Sequence, residues 1–339
     1  MKLKELGEFG LIDLIRDLID KSKNPEHNSW QQLLIGIGDD AAAWQGNNRI
    51  QLATTDTLVQ DVHFDLSAIT WEELGWKALA ANLSDIAAMG GTPQYALISL
   101  SLPDGLEVED ISKFVNGMAP LVEKFGVAIA GGNLTNAPVV VVTITVTGYC
   151  EGDILKRSGA RPSECIAVTG YLGASAAGLE MFQRKTNLDG ESTRILRQGH
   201  LQPMPRIKEG QILAQQGVKT AIDISDGLIA DLNHICEASK VNARMRREQI
   251  PVHPAVRTNF REYQQLALCG GEDYELIFTA NKDIVEKAKK AIDCPVTIIG
   301  EITEEILPSR VTVVDNKGNA IPYKKGGWEH LCINKEPMK

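Results

Sequence analysis

The chain has 339 residues, 43% hydrophobic and 23% charged, with a formal net charge of -9. That length fits two domains of roughly 150 residues each, with apolar material for a core in both. The acidic balance argues against nucleic acid or an anionic membrane as main partner, and an anionic substrate would have to be met through recruited cations.

The predicted elements run as follows. Leu11, Ile12, Leu14, Ile15, Leu18 and Ile19 recur at helical spacing with acids between them, an amphipathic opening helix. Strands are expected over 33–37, feeding Gly38, and over 49–55, ending at Asp56. Residues 72–89 predict a long helix with an acidic start, closed by Gly90-Gly91-Thr92-Pro93. A strand over 95–102, a helix over 108–125, a short strand over 127–130 and a β-branched strand over 139–149 follow. After Cys150 the texture becomes polar and turn-rich, so the domain boundary falls between 150 and 151. The second half, 151–339, repeats the alternation: strand 165–169, helix 174–184, polar loop 186–193, helix 205–216, strand 221–225, helix 227–239, then strands 272–280 and 296–300. Alternating helices and strands make the class α/β or α+β.

The six cysteines form no CxxC pair, so neither a zinc site nor a redox motif is suggested, and scattered single thiols suit a reducing cytoplasm. Met1 to Glu5 lacks the apolar core of a signal peptide, and the most apolar run, 139–150, is too short and Thr-rich to span a bilayer. There is no GxxxxGK[ST] loop and no kinase HRD or DFG set.

What carries chemistry is a series of acids beside glycines. Gly36-Ile37-Gly38-Asp39-Asp40-Ala41 formally matches a dinucleotide fingerprint, but two aspartates stand where a pyrophosphate needs bare N–H groups, and a turn follows. Thr54-Thr55-Asp56 offers hard oxygen ligands at a strand end. Asp85 lies in an Ala-rich helix and shares a face with Asn82; a carboxylate there must bind metal or be paired with a Lys or Arg. Asp223 and Ser225 point to one side of an apolar strand, and Asp226 is placed to cap the following helix. Gly270-Gly271-Glu272-Asp273-Tyr274-Glu275 puts three acids at the start of another strand, as a ligand approach or an exposed hairpin. Together these read as one polyacidic site that holds a nucleotide triphosphate through divalent cations. The Lys156-Arg157-Ser158 turn suits a phosphate or is simply solvated. His63 is structural or a ligand, and Trp328, behind two glycines, is core or covers a flat ring.

In order and spacing the motifs Gly-Asp-Asp, Thr-Thr-Asp, Asn-Leu-Ser-Asp, Gly-Gly-Asn, Asp-Ile-Ser-Asp-Gly and Gly-Gly-Glu-Asp-Tyr-Glu-Leu resemble those of the thiamine-monophosphate kinases, within the aminoimidazole-ribonucleotide-synthetase-like superfamily. The resemblance runs from Gly7-Glu8-Phe9 to Trp328-Glu329-His330. It implies a two-domain fold with an N-terminal domain that binds ATP and metal and forms a barrel across a homodimer. It also implies a cytoplasmic enzyme that phosphorylates thiamine monophosphate to thiamine diphosphate with ATP and several magnesium ions, by direct in-line transfer. Carried over by motif, Asp40, Thr54, Thr55, Asp56, Asp85, Asp223 and Asp226 are metal ligands. Gly132, Asn133, Arg157 and Ser225 are ATP contacts, and His63, Glu272 and Trp328 touch the second substrate. The chain departs from the pattern at Asn133, where the family has an aspartate, so that an amide stands in a metal position. Rival readings are another ATP-using enzyme of the superfamily and a non-catalytic nucleotide or metal sensor.

Overall fold

The computed structural model describes residues 3–35, 37, 43–44, 46, 48–304 and 310–323. In chain order the elements are α1 (Leu3–Ser22), α2 (Asn28–Gln32), β1 (Leu33–Ile35), β2 (Ala43–Trp44), β3 (Ile50–Val59), α3 (Trp71–Ala88), β4 (Thr92–Leu102), α4 (Val108–Phe125), β5 (Ala128–Asn136) and β6 (Val141–Cys150). Then come β7 (Cys165–Thr169), α5 (Ala174–Arg184), α6 (Gly190–Leu201), α7 (Ile207–Gln215), β8 (Thr220–Asp223), α8 (Leu228–Ser239), β9 (Asn242–Arg246), α9 (Pro254–Asn259), α10 (Tyr263–Cys269), β10 (Leu276–Ala280), α11 (Lys282–Ala291), β11 (Val296–Thr303) and β12 (Val311–Val314).

Two compact units result. One comprises Met1–Leu155 with Leu201–Gln215, the other Lys156–His200 with Gln216–Lys339. The continuous second domain expected over 151–339 is thus interrupted. Residues 201–215 return to the first unit, where α7 packs on α3. Trp76 Nε1 donates to the Pro203 carbonyl at 2.7 Å, and Gln211 Nε2 donates to the Gly91 carbonyl at 3.1 Å. The reason is packing: the Ala-rich α3 is apolar nearly all round and needs covering on more sides than the sheet and α4 supply.

In the first unit a four-stranded sheet has the order β3-β6-β4-β5, antiparallel except for the β4–β5 pair. Period-two alternation in β6 buries Val142, Ile144 and Val146 and leaves Thr143 and Thr145 half-buried. The buried face packs on α3, whose start is fixed by a capping box. Thr70 Oγ1 accepts from the Glu73 N–H at 3.2 Å, and Glu73 Oε2 accepts from the Thr70 N–H at 2.9 Å. Pro93 enters β4 at a register shift, where its missing N–H is tolerated. Two strands outrun their expected lengths. β3 does not end at Asp56, because β6 pairs it all the way from Ile50↔Cys150 to Val59↔Val141. β5 continues through Gly131-Gly132-Asn133 because β4 pairs it in parallel, with Ser99 opposite Asn133.

The second unit holds a six-stranded sheet of order β12-β9-β11-β7-β10-β8, antiparallel except for β12–β9. Its core gathers Ile166 and Val168 from β7, Ile222 from β8, Leu228 and Leu232 from α8, and Ile277 from β10. The polar stretch 186–193, expected as a loop, leads into α6. Asp189 Oδ1 accepts from the Ser192 N–H at 2.8 Å, an N-capping bond that the polar composition hides. β9, β12, α9, α10 and α11 are further elements without a sequence counterpart above.

Candidate active site

Each unit gathers its own set of acids. In the first, β3 turns Leu52, Thr54, Asp56 and Leu58 inward and leaves Gln51, Ala53, Thr55 and Thr57 exposed. Asp85 comes from the last turn of α3. Thr54 Oγ1 donates to Asp85 Oδ2 at 2.5 Å. The Asp56 carboxyl is pushed up to about 6, first by burial, then by the charge of Asp85 and a hydrogen bond shared with it. Thr54, Asp56 and Asp85 therefore converge. One turn back on α3, Asn82 is 0% exposed; its Nδ2 donates to the Ala78 carbonyl, but its Oδ1 has no hydrogen-bond partner.

Thr55 is turned away from that cluster. Its hydroxyl donates to the Ile144 carbonyl at 3.2 Å and accepts from Thr145 Oγ1 at 3.0 Å, while Thr57 and Thr143 share a 2.8 Å bond beside it. Strand alternation leaves no other outcome once Thr54 and Asp56 face inward. The side chain of Thr55 thus sits in a threonine ladder on the other face of the sheet. Gly132 and Asn133 lie exposed on β5. His63 follows β3 in a turn, where its Nδ1 accepts from the Val59 N–H at 3.0 Å. Asp40 and Trp328 lie outside the described residues.

In the second unit the two Gly- and Asp-rich motifs become neighbours. β8 ends at Asp223, opposite Leu276 of β10. Beyond the sheet the pairing continues in irregular form. The Ile224 N–H bonds the Glu275 carbonyl at 2.8 Å, the Tyr274 N–H the Ile224 carbonyl at 2.9 Å and the Glu272 N–H the Ser225 carbonyl at 2.8 Å. Neither Ser225 nor residues 272–275 are on a regular strand, contrary to the pattern expectation. Glu272 and Tyr274 adopt left-handed φ values of 64° and 50°, which break the extended run. Gly271 lies so close to the Ser225 carbonyl that a Cβ would stand 2.4 Å from it.

The cap residue of α8 is Gly227, one position after Asp226. Asp231, one turn into the helix, reaches back, and its Oδ2 accepts from the N–H groups of Asp226 at 3.1 Å and Gly227 at 2.9 Å. Asp231 is 1% exposed and Asp223 3%. Burial, then the charges of Asp223 and Asp226, push the Asp231 carboxyl well above its ordinary value against those two N–H groups. His234, a further turn along, brings a ring nitrogen within 4.8 Å of carboxylate oxygens of Asp226 and Asp231, a spacing that suits a metal ion. Neither Asp231 nor His234 stood out in the sequence. The readable signal was Asp-x-x-His at helical spacing, separated from Asp226-Gly227 by three residues.

Asp273 accepts from the N–H groups of Gly173 at 2.7 Å and Ser175 at 3.2 Å, at the start of α5. Burial foremost pushes its carboxyl up to about 7, with Glu275 and Glu272 adding to the rise. Thr169 Oγ1 donates to Glu275 Oε2 at 2.7 Å. Arg157 is exposed in the turn before β7, and its carbonyl accepts from Ser239 Oγ at 3.1 Å.

The donor sets fit magnesium. They are hard oxygens, and in each unit carboxylates are crowded so that at least one is pushed toward its protonated form, a penalty that a divalent cation would relieve.

Residues 38–150 match the AIR synthase related protein N-terminal domain, and residues 161–309 the AIR synthase related protein C-terminal domain. The chain is accordingly a two-domain protein of the AIR-synthase-related fold. The thiamine-monophosphate kinase of Bacillus subtilis (strain 168) is 37% identical over 303 residues, covering 86% of this chain and 92% of the relative. The crystal structure of the thiamine-monophosphate kinase from Stenotrophomonas maltophilia K279a superposes with a TM-score of 0.80 at 35% identity, covering 95% of this chain and 99% of that one. AaThiL complexed with AMPPCP and TMP superposes with a TM-score of 0.75 at 35% identity, covering 98% and 99%. The chain belongs to the thiamine-monophosphate kinase family, kinases whose acceptor is itself a phosphate. Among the described residues no helix is long and apolar enough to cross a membrane.

Proposed function

We propose that the protein transfers the γ-phosphoryl group of ATP to thiamine monophosphate, giving thiamine diphosphate and ADP, by direct in-line displacement. The observation that carries this reading is the convergence of Thr54, Asp56 and Asp85, a hard-oxygen cluster in which two carboxylates face each other. Family membership and the AMPPCP and TMP bound to AaThiL support the substrate assignment.

Magnesium would neutralise the anionic oxygens of both substrates when bound. Thr54, Asp56 and Asp85 are the side chains that would hold it in the first unit, and Asp223 and Asp226 those that would hold it in the second. Asp40 and Asn133 complete the proposed metal ligands, with Thr55 entering through its backbone, because its hydroxyl serves the open face of the sheet. Gly132, Asn133, Arg157 and Ser225 contact ATP, and His63, Glu272 and Trp328 contact thiamine monophosphate. The acceptor is an ionised phosphate oxygen, so no strong general base is needed, and the chain's task is placement and charge balance. The same reading places the enzyme in the cytoplasm as a homodimer joined through the half-exposed face of the four-stranded sheet.

Incubation of purified protein with ATP, magnesium and thiamine monophosphate should yield thiamine diphosphate and ADP, and excess EDTA should stop it. Turnover with a different superfamily substrate would select the rival enzyme reading. Nucleotide binding without any turnover would select the sensor.

A further inference from the structure

We propose that His200 is a positioning residue that sets the Glu272 carboxylate for its contact with thiamine monophosphate. The inference rests on the assignment of Glu272 as a substrate contact. His200 lies at the end of α6, 6% exposed, with its ring 6.0 Å from that of Phe182. Its Nδ1 stands 3.1 Å from Ser175 Oγ and 3.5 Å from Glu272 Oε2. Ser175 is itself anchored, 1% exposed and with its N–H on Asp273.

Glu272 is held at both ends. Its main chain is locked by the left-handed φ of 64° and by the bond from its N–H to the Ser225 carbonyl. What the backbone leaves open is the long side chain, with three rotatable bonds. His200 restricts it from a buried, immobile ring. A carboxylate already oriented toward a cationic substrate ring loses less rotamer freedom on binding. Ser175 and Phe182 both contact the ring. A binding carboxylate on an irregular segment would otherwise lack the support that a strand or helix supplies. The pairing also accounts for a buried, hydrogen-bonded histidine that the proposed chemistry does not otherwise use.

Steady-state kinetics with both substrates test this. Asn places its amide where the imidazole Nδ1 stood, whereas Gln places it near the Nε2 position and Leu supplies no polar group. His200→Gln and His200→Leu should raise the KM for thiamine monophosphate roughly 3- to 10-fold, the scale of ordering one long side chain. The KM for ATP should move little and His200→Asn should keep the KM for thiamine monophosphate within about twofold of the parent, whereas His200→Leu, which takes this partner from the buried Ser175 hydroxyl, should also lower the Tm. In a double-mutant cycle, His200→Leu combined with Glu272→Gln should be no worse than Glu272→Gln alone. If Glu272→Gln raises that KM while the Gln and Leu variants at 200 do not, or if the effects multiply, positioning by His200 is wrong and the substrate role of Glu272 stands. If Glu272→Gln leaves the KM unchanged, both fall together. Should His200→Leu fail to fold, the contrast between the near-isosteric Asn and Gln variants decides alone.

Discussion

The two acidic clusters are built on different principles. In the first unit Asp56 and Asp85 come from a mid-strand position and the end of a helix, and they face each other, with the Thr54 hydroxyl donating to Asp85. Their charges oppose one another, and the fold holds them together regardless. In the second unit Asp231 is tied into the local backbone by the N–H groups of Asp226 and Gly227, and so helps to build the loop that presents Asp226 beside the strand end at Asp223. The first cluster is held by the rigid frame around it, whereas the second contains part of its own scaffold. Removing an acid should therefore relieve the first and damage the second.

The largest effect is expected on turnover. Asp56→Asn and Asp85→Asn should each lower kcat by 10²-fold or more if charge neutralisation is the main catalytic contribution, a range that loss of a single electrostatic group commonly reaches. Both variants should stay folded, and their metal-free Tm should equal or exceed that of the parent. Asp231→Ala should behave oppositely on stability, with a loss of roughly 1–2 kcal/mol as two helix-start N–H groups lose their acceptor, and Asp231→Asn should keep most of that. Chemical denaturation in EDTA measures both. A stabilising Asp231→Ala would erase the contrast between the clusters.

Next comes the split between adjacent threonines. Thr54→Val removes a donor to Asp85 and should reduce kcat/KM about tenfold or more, whereas Thr55→Val should change it less than about threefold, in keeping with the small value of exposed hydroxyl bonds. Equal losses would show that the hydroxyl of Thr55 leaves the ladder in the working enzyme.

The pH dependence of metal-free stability has a definite sign. Asp56 has a folded value of about 6 against an ordinary 3.8. Its contribution is complete below about 3.8 and is lost as pH rises through about 6, because the raised carboxyl binds its proton more tightly when folded. Asp273, at about 7, acts in the same sense up to that pH. The protein in EDTA should thus melt at a lower temperature at pH 7.5 than at pH 5, with a flatter profile in Asp56→Asn. Saturating magnesium should reduce or reverse the slope, since it favours the ionised forms. A melting temperature in EDTA that rises with pH would mean that the carboxylates are compensated by a charge within the chain.

The smallest shift concerns Asn133. An amide oxygen can coordinate magnesium but adds no charge, and Asn133 is exposed on β5, where screening is strong. Asn133→Asp should lower the magnesium concentration for half-maximal rate by about two- to fivefold, the effect of one added charge near the surface. An unchanged or higher requirement would remove Asn133 from the metal's surroundings.

Much of this was legible in the residues alone. The long helix after Thr70, the β-branched strand at β6 and the acidic motifs follow from local pattern, because helical periodicity and strand propensity depend only on near neighbours in the chain; that β6 buries only one face does not. The family was legible too, since its motifs recur in order over nearly the whole length. Tertiary structure alone decided which of Thr54 and Thr55 meets Asp85. The residues say that adjacent positions on a strand face opposite ways, but not which face α3 covers. It decided that Asp231 reaches back to accept from the N–H groups of Asp226 and Gly227 just ahead of α8, and that residues 201–215 cover α3. It also brought Glu272, Ser175 and His200 together from three separate segments. Each of these depends on packing between residues far apart in sequence, and a one-dimensional pattern does not specify which of several compatible partners a buried group will meet.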